Sequence, residues 1–127
     1  MSSLAVLDEA TIAQLFESVG YDPAFLDELV EAYLSDAPAQ LASARAAVAA
    51  GSAEDLVRPV HTLKSSSSTF GALTLAGLAR GLELQARAGS LDGVAIGLDA
   101  VEAEFARVGV ALAERQRARW SSATGGS

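Results

Sequence analysis

Turn and capping signals cut this chain into about six stretches rich in Ala, Leu, Glu and Arg, all good helix formers. Alternation of β-branched and aromatic residues, the mark of a half-buried strand, is missing. The pattern predicts an all-α fold. The first helix is expected over Glu9–Ser18, capped by Asp8 and closed by Gly20. The second opens with Asp22 as N-cap and Pro23 at the first helical position, and runs to about Ser35. A third starts near Asp36, with Pro38 in its first turn, and ends at Gly51. The fourth has Ser52 as N-cap, with Glu54 and Asp55 where the helix dipole favours them, and ends before Gly71. The fifth spans Leu73 to Ala88. The sixth runs from about Leu91 to Arg119, although Gly93, Gly97 and Gly109 suit a straight helix poorly. Amphipathic helices on short loops favour an antiparallel up-down four-helix bundle. The last four would form it, and one or two N-terminal helices would pack as a lid. Residues 1–120 read as one domain and 121–127 as a flexible polar tail.

Composition narrows function. Sixteen acidic residues against nine basic ones give a formal net charge of −7, which argues against nucleic-acid binding, since phosphate contacts need a basic surplus. There is no cysteine, so disulfides, Cys-ligated metals and thiol chemistry are excluded. The opening Met1-Ser2-Ser3-Leu4 lacks a basic, apolar leader, and no uncharged apolar run approaches the length of a membrane span. These features predict a soluble cytoplasmic protein without a membrane segment. The chain has one histidine, His61, and its one lysine, Lys64, follows three residues later.

Plotting the fourth helix at 100° per residue places Leu56, Val60, Leu63, Ser67 and Phe70 on a stripe almost opposite His61. The face of His61 itself holds Glu54, Val57, Lys64, Ser65 and Ser68. The imidazole therefore points outward, with a cation one turn away and small hydroxyl residues around it. A cation beside an approachable ring favours an anion placed on that ring, and the sum looks like a seat for a phosphoryl group. A lone histidine is more often a bland surface or core residue, a lone lysine is usually solvated, and the serine run 65–68 could simply pack closely against a neighbouring helix.

The stretch from His61-Thr62-Leu63-Lys64 through Ser65–Ser68 to Phe70-Gly71-Ala72 closely resembles the signature of histidine-containing phosphotransfer (HPt) domains. The acidic turn at Gly51–Asp55 and the later Leu75, Leu78, Leu82 and Glu83 fit the same pattern. The resemblance implies a four-helix bundle whose histidine carries a phosphoryl group between receiver-domain aspartates. Carried over by position, His61 would be the phosphoacceptor, Lys64 would offset phosphoryl charge, and Ser65 and Ser68 would flank the site. It implies no cofactor of the chain's own, Mg²⁺ being supplied by the partner, and partners that are receiver domains of response regulators or a hybrid histidine kinase. A single bundle of this kind can work as a monomer. Two features depart from the pattern: Ser65 stands where the family usually has glycine, and Pro59 sits inside the helix two residues before His61.

Three other readings compete. A histidine-kinase dimerisation helix would carry an acidic residue after the histidine, where Thr62 stands. A helical scaffold that binds receiver or kinase partners without carrying phosphate is the more serious alternative. A conventional enzyme has least support, because Glu83 and Arg87, four apart, read most simply as a stabilising pair.

Overall fold

The computed structural model of the chain describes residues 6–121. Among them every regular element is helical: α1 (Glu9–Ser18), α2 (Pro23–Ala49), α3 (Ala53–Thr69), α4 (Leu73–Arg87) and α5 (Val94–Arg117). Apart from Ser121, the tail expected to be flexible lies outside the described residues.

The capping signals act where the sequence places them. The Asp8 carboxylate accepts from the Thr11 N–H and hydroxyl at 3.1 and 2.7 Å. Asp22 accepts from Ala24 N and Phe25 N ahead of Pro23 at the first position of α2. Ser52 accepts from Asp55 N at 3.1 Å. Each satisfies a backbone donor that helix geometry leaves orphaned.

The expected second and third helices are one. α2 continues through Pro38 for 27 residues. Proline removes one backbone donor and crowds the preceding turn, but Pro38 is exposed. Beside it on the helix surface, Val30, Tyr33, Ala37, Leu41 and Ala44 form one continuous buried stripe. Burial along that whole stripe outweighs one lost hydrogen bond, at about 1.5–3 kcal/mol for each large apolar side chain. α3 likewise passes through Pro59 without a break. The carbonyl that loses its partner there belongs to Asp55, an exposed residue of the first turn. The last helix starts later than expected, at Val94, after Gly93 caps it in a left-handed conformation (φ 71°). Gly97 sits inside it, where a Cβ would fall 2.7 Å from Leu82 Cδ2, so α5 and α4 approach closely at that point.

Contacts run α2–α3, α3–α4, α4–α5 and α5–α2, so these four helices close a ring around a core of Leu, Val, Ala and aromatic side chains. Among the described helices only α1 stands outside the ring. Asp8 N donates to Gly71 O at 2.8 Å, and Ile12 and Phe16 are buried, so α1 rests on the α3–α4 turn. Gly71 has φ 75°, and a Cβ there would come within 3.0 Å of Asp8 O. Phe25, in the first turn of α2, is 47% exposed. The chain's one tryptophan is fully buried, and its indole N–H donates to Asp27 at 2.9 Å, tying the end of α5 to the start of α2.

One polar pair fixes the rotation of α3. Ser67 is fully buried and hydrogen-bonds the Tyr33 hydroxyl at 2.8 Å. Burial pushes the Tyr33 hydroxyl pKa up, and the bond to Ser67 opposes that. Tyr33→Phe is expected to strand the Ser67 hydroxyl without a partner, costing about 1–2 kcal/mol. A urea titration would measure it, and an unchanged midpoint would show that the pair contributes nothing net.

Candidate functional site

The site begins with the buried side of α3. Leu56, Val60 and Leu63 are fully buried, and Ser67 and Phe70 continue their stripe. With that face pinned against α2 and α4, His61 is carried to the opposite side, where its side chain is 51% exposed. Lys64, one turn further, is partly covered.

The two do not stand alone. Glu83 on α4 comes up between them: its Oε2 lies 2.9 Å from His61 Nδ1 and its Oε1 lies 2.8 Å from Lys64 Nζ. The Lys64 contact is an ion pair without hydrogen-bond alignment, since Oε1 has no aligned donor. Arg87, one turn along α4, donates to Oε2 from both Nε and Nη2, at 3.1 and 2.7 Å. Only 5% of the Glu83 side chain is exposed. It is covered by the side chains that bind it rather than by depth in the core.

The Lys64 ammonium, followed by Arg87 and His61, holds the Glu83 carboxyl down to about 2 against the opposing effect of burial. At neutral pH Glu83 is therefore an anion, and an ionised carboxylate can only accept. His61 Nδ1 must carry the ring proton and donate it. In the neutral ring the lone pair then lies on Nε2, on the half-exposed imidazole. The arrangement is an oriented nitrogen nucleophile with a carboxylate behind it and a cation beside it.

Of the four residues singled out by sequence, His61 and Lys64 converge on Glu83. Ser65 and Ser68 occupy exposed positions one and two turns along the same side of α3, outside that cluster. Glu83 and Arg87 were read as a stabilising helix pair, and the pair is real. The sequence reading missed that the same carboxylate holds the histidine. The available signal was a charged residue at the edge of the stripe Leu75, Ala79, Leu82 and Ala86, all of which are buried. Among the described residues no cluster of three or more His, Cys, Asp or Glu is arranged to hold a metal ion. No described helix is long and apolar enough to cross a membrane.

Comparison with known families places this helical ring, with its carboxylate-backed histidine, in a phosphotransfer class of protein. The family model for the Hpt domain matches residues 28–111, and the chain belongs to that family. Among solved structures it is similar to the crystal structure of histidine-containing phosphotransfer protein B (HptB) from Pseudomonas aeruginosa PAO1. That match has a TM-score of 0.81 and 32% sequence identity, covering 91% of this chain and 97% of the other. No curated protein matches the chain.

Proposed function

We propose that this protein is a phosphorelay carrier that accepts a phosphoryl group on His61 Nε2 from a receiver-domain aspartate, or from a kinase, and passes it to another receiver aspartate. The single observation that carries this reading is the bond between His61 Nδ1 and Glu83, which orients the ring and, in its neutral form, leaves the lone pair on Nε2. In the forward step the Nε2 lone pair forms the N–P bond. The bond from phosphorus to the aspartyl oxygen breaks, and its electron pair stays on the receiver's carboxylate. The ring keeps its Nδ1 proton and gains positive charge, which the Glu83 carboxylate faces directly. Return transfer is the same step reversed.

In this reading Lys64 offsets the charge of the arriving phosphoryl group, and Ser65 and Ser68 form small, exposed flanks that leave room for the partner. The partner receiver supplies Mg²⁺ and most of the electrostatic stabilisation, so this chain acts as a positioned nucleophile and leaving group rather than as an enzyme. The four-helix ring is read as an up-down antiparallel bundle within one domain, with α1 covering one end, and it works as a monomer. Exposed Tyr21 and Phe25, at the α1–α2 corner, offer apolar surface to a docking receiver.

The test is transfer from radiolabelled phospho-receivers in the presence of Mg²⁺. Label that moves onto the protein and is acid-labile but alkali-stable supports the carrier. Tight receiver binding without transfer from any donor would instead favour a scaffold. Lys64→Ala is expected to slow transfer about 5- to 20-fold, in line with the loss of one charge-assisted contact, and to lower the melting temperature without unfolding the domain, since Lys64 is the chief counter-charge of Glu83. Unchanged kinetics would make Lys64 a bystander.

A further inference from the structure

The Glu83 carboxylate has more donors than a histidine orienter needs, and they are held unequally. Arg87 binds Oε2 through two nitrogens of a rigid fork. Lys64 meets the other oxygen, Oε1, at 2.8 Å through a single ammonium without an aligned hydrogen bond. Lys64 lies on α3, one turn from His61, whereas Arg87 lies on α4 with Glu83.

When a phosphoryl group arrives on His61, a second anion enters this cluster. Lys64, one turn from His61 on the same helix, is the cation placed to turn toward it. Its departure would leave Glu83, almost wholly covered, with the ring N–H and Arg87 alone. A covered carboxylate without a counter-charge beside a phosphoryl dianion is costly. A cation in the last turn of a helix also favours the helix dipole, so Arg87 would have a structural use without any relay. That use requires neither the 5% exposure of Glu83 nor the sharing of Oε2 between the guanidinium and the ring.

We infer that Arg87 is a positioning residue of the relay: it keeps Glu83 charged and in place while Lys64 leaves it for the phosphoryl group. The two basic residues around this carboxylate thus divide the work. Lys64 moves with the phosphoryl group, and Arg87 stays so that the histidine keeps its orienting partner in both states. This inference rests on the carrier reading above and adds to it which residue sets the stability of the phosphorylated state.

The experiment compares wild type, Arg87→Gln and Arg87→Lys in two measurements. The first is the equilibrium partition of phosphoryl between this protein and a receiver. Arg87→Gln should shift it away from the phosphohistidine about fivefold, a modest figure because the guanidinium is more than half exposed. Arg87→Lys, which restores the charge, should recover most of the shift. The second is the NMR signal of the His61 Nδ1 proton in the unphosphorylated protein. It should move upfield in Arg87→Gln, because a carboxylate no longer held in place binds the ring N–H less firmly. An Arg87 that only stabilises its helix would leave the partition unmoved. Wild-type transfer with an unaltered partition in Arg87→Gln overturns the inference and leaves the carrier reading intact. Loss of helical signal in Arg87→Gln assigns Arg87 to folding and also overturns it. Failure of the wild type to accept label from any receiver overturns both.

Discussion

Replacing His61 with glutamine is expected to abolish phosphoryl acceptance while leaving the helices and the melting temperature nearly intact. The carboxamide offers no nitrogen lone pair for an N–P bond, so the loss should reach the detection limit, at least about 1,000-fold. Stability should change by no more than about 0.5–1 kcal/mol, because the ring is half exposed and contributes nothing to the buried stripe of α3. Glutamine can still donate from its amide toward Glu83, so the carboxylate is not stranded. Two measurements decide the matter: label incorporation and the circular-dichroism melt. Retained labelling in His61→Gln would move the acceptor elsewhere and dismantle the site. A collapse of helicity would mean that the imidazole is a structural residue.

Glu83→Gln should give the second largest effect, and it separates orientation from nucleophilicity. The nucleophile stays, but its tautomer is no longer fixed by an anion, and the charge developing on the ring during transfer faces a neutral amide. Where a carboxylate or carbonyl holds the second nitrogen of a working histidine, its removal typically costs about 10- to 100-fold, and the same loss is expected in the transfer rate here. Stability should fall by about 1–2 kcal/mol, less than for a deeply buried ion pair, because His61, Lys64 and Arg87 can each rehydrate once released. A rate within twofold of wild type would show that receiver contacts alone orient the ring.

The same residue predicts a pH dependence. The Glu83 carboxyl drops from an ordinary 4.5 to about 2 on folding, chiefly through the Lys64 ammonium, then Arg87 and His61. A carboxylate with a depressed folded-state pKa stabilises the fold fully above its unfolded value. That contribution is lost as pH falls through the window from about 4.5 to about 2. Urea unfolding between pH 5 and 2 should therefore show a steeper decline for wild type than for Glu83→Gln. Parallel curves would mean that the depressed carboxyl is not coupled to folding.

Much of this protein was legible along the chain because its determinants are local. Caps at Asp8, Asp22 and Ser52, and the glycines that end helices, act within one turn of themselves. The face carrying His61 and Lys64 follows from helical angle alone, since a helix rotates by a fixed amount per residue. The length of α2 was not legible. Pro38 after Asp36 reads as a helix start, and only a buried stripe that runs past it without interruption makes one continuous element.

The sequence alone determined an acidic, cysteine-free, all-helical chain with one histidine turned away from its apolar stripe and one lysine beside it, because those properties are either composition or the angular order of a single helix. Tertiary structure alone decided which carboxylate stands behind that histidine. Glu83 lies 22 residues from His61 on another helix, and Trp120 reaches an aspartate 93 residues away. Such pairings depend on the register in which helices pack, and that register is set by the shape of the shared core rather than by any residue's neighbours in sequence.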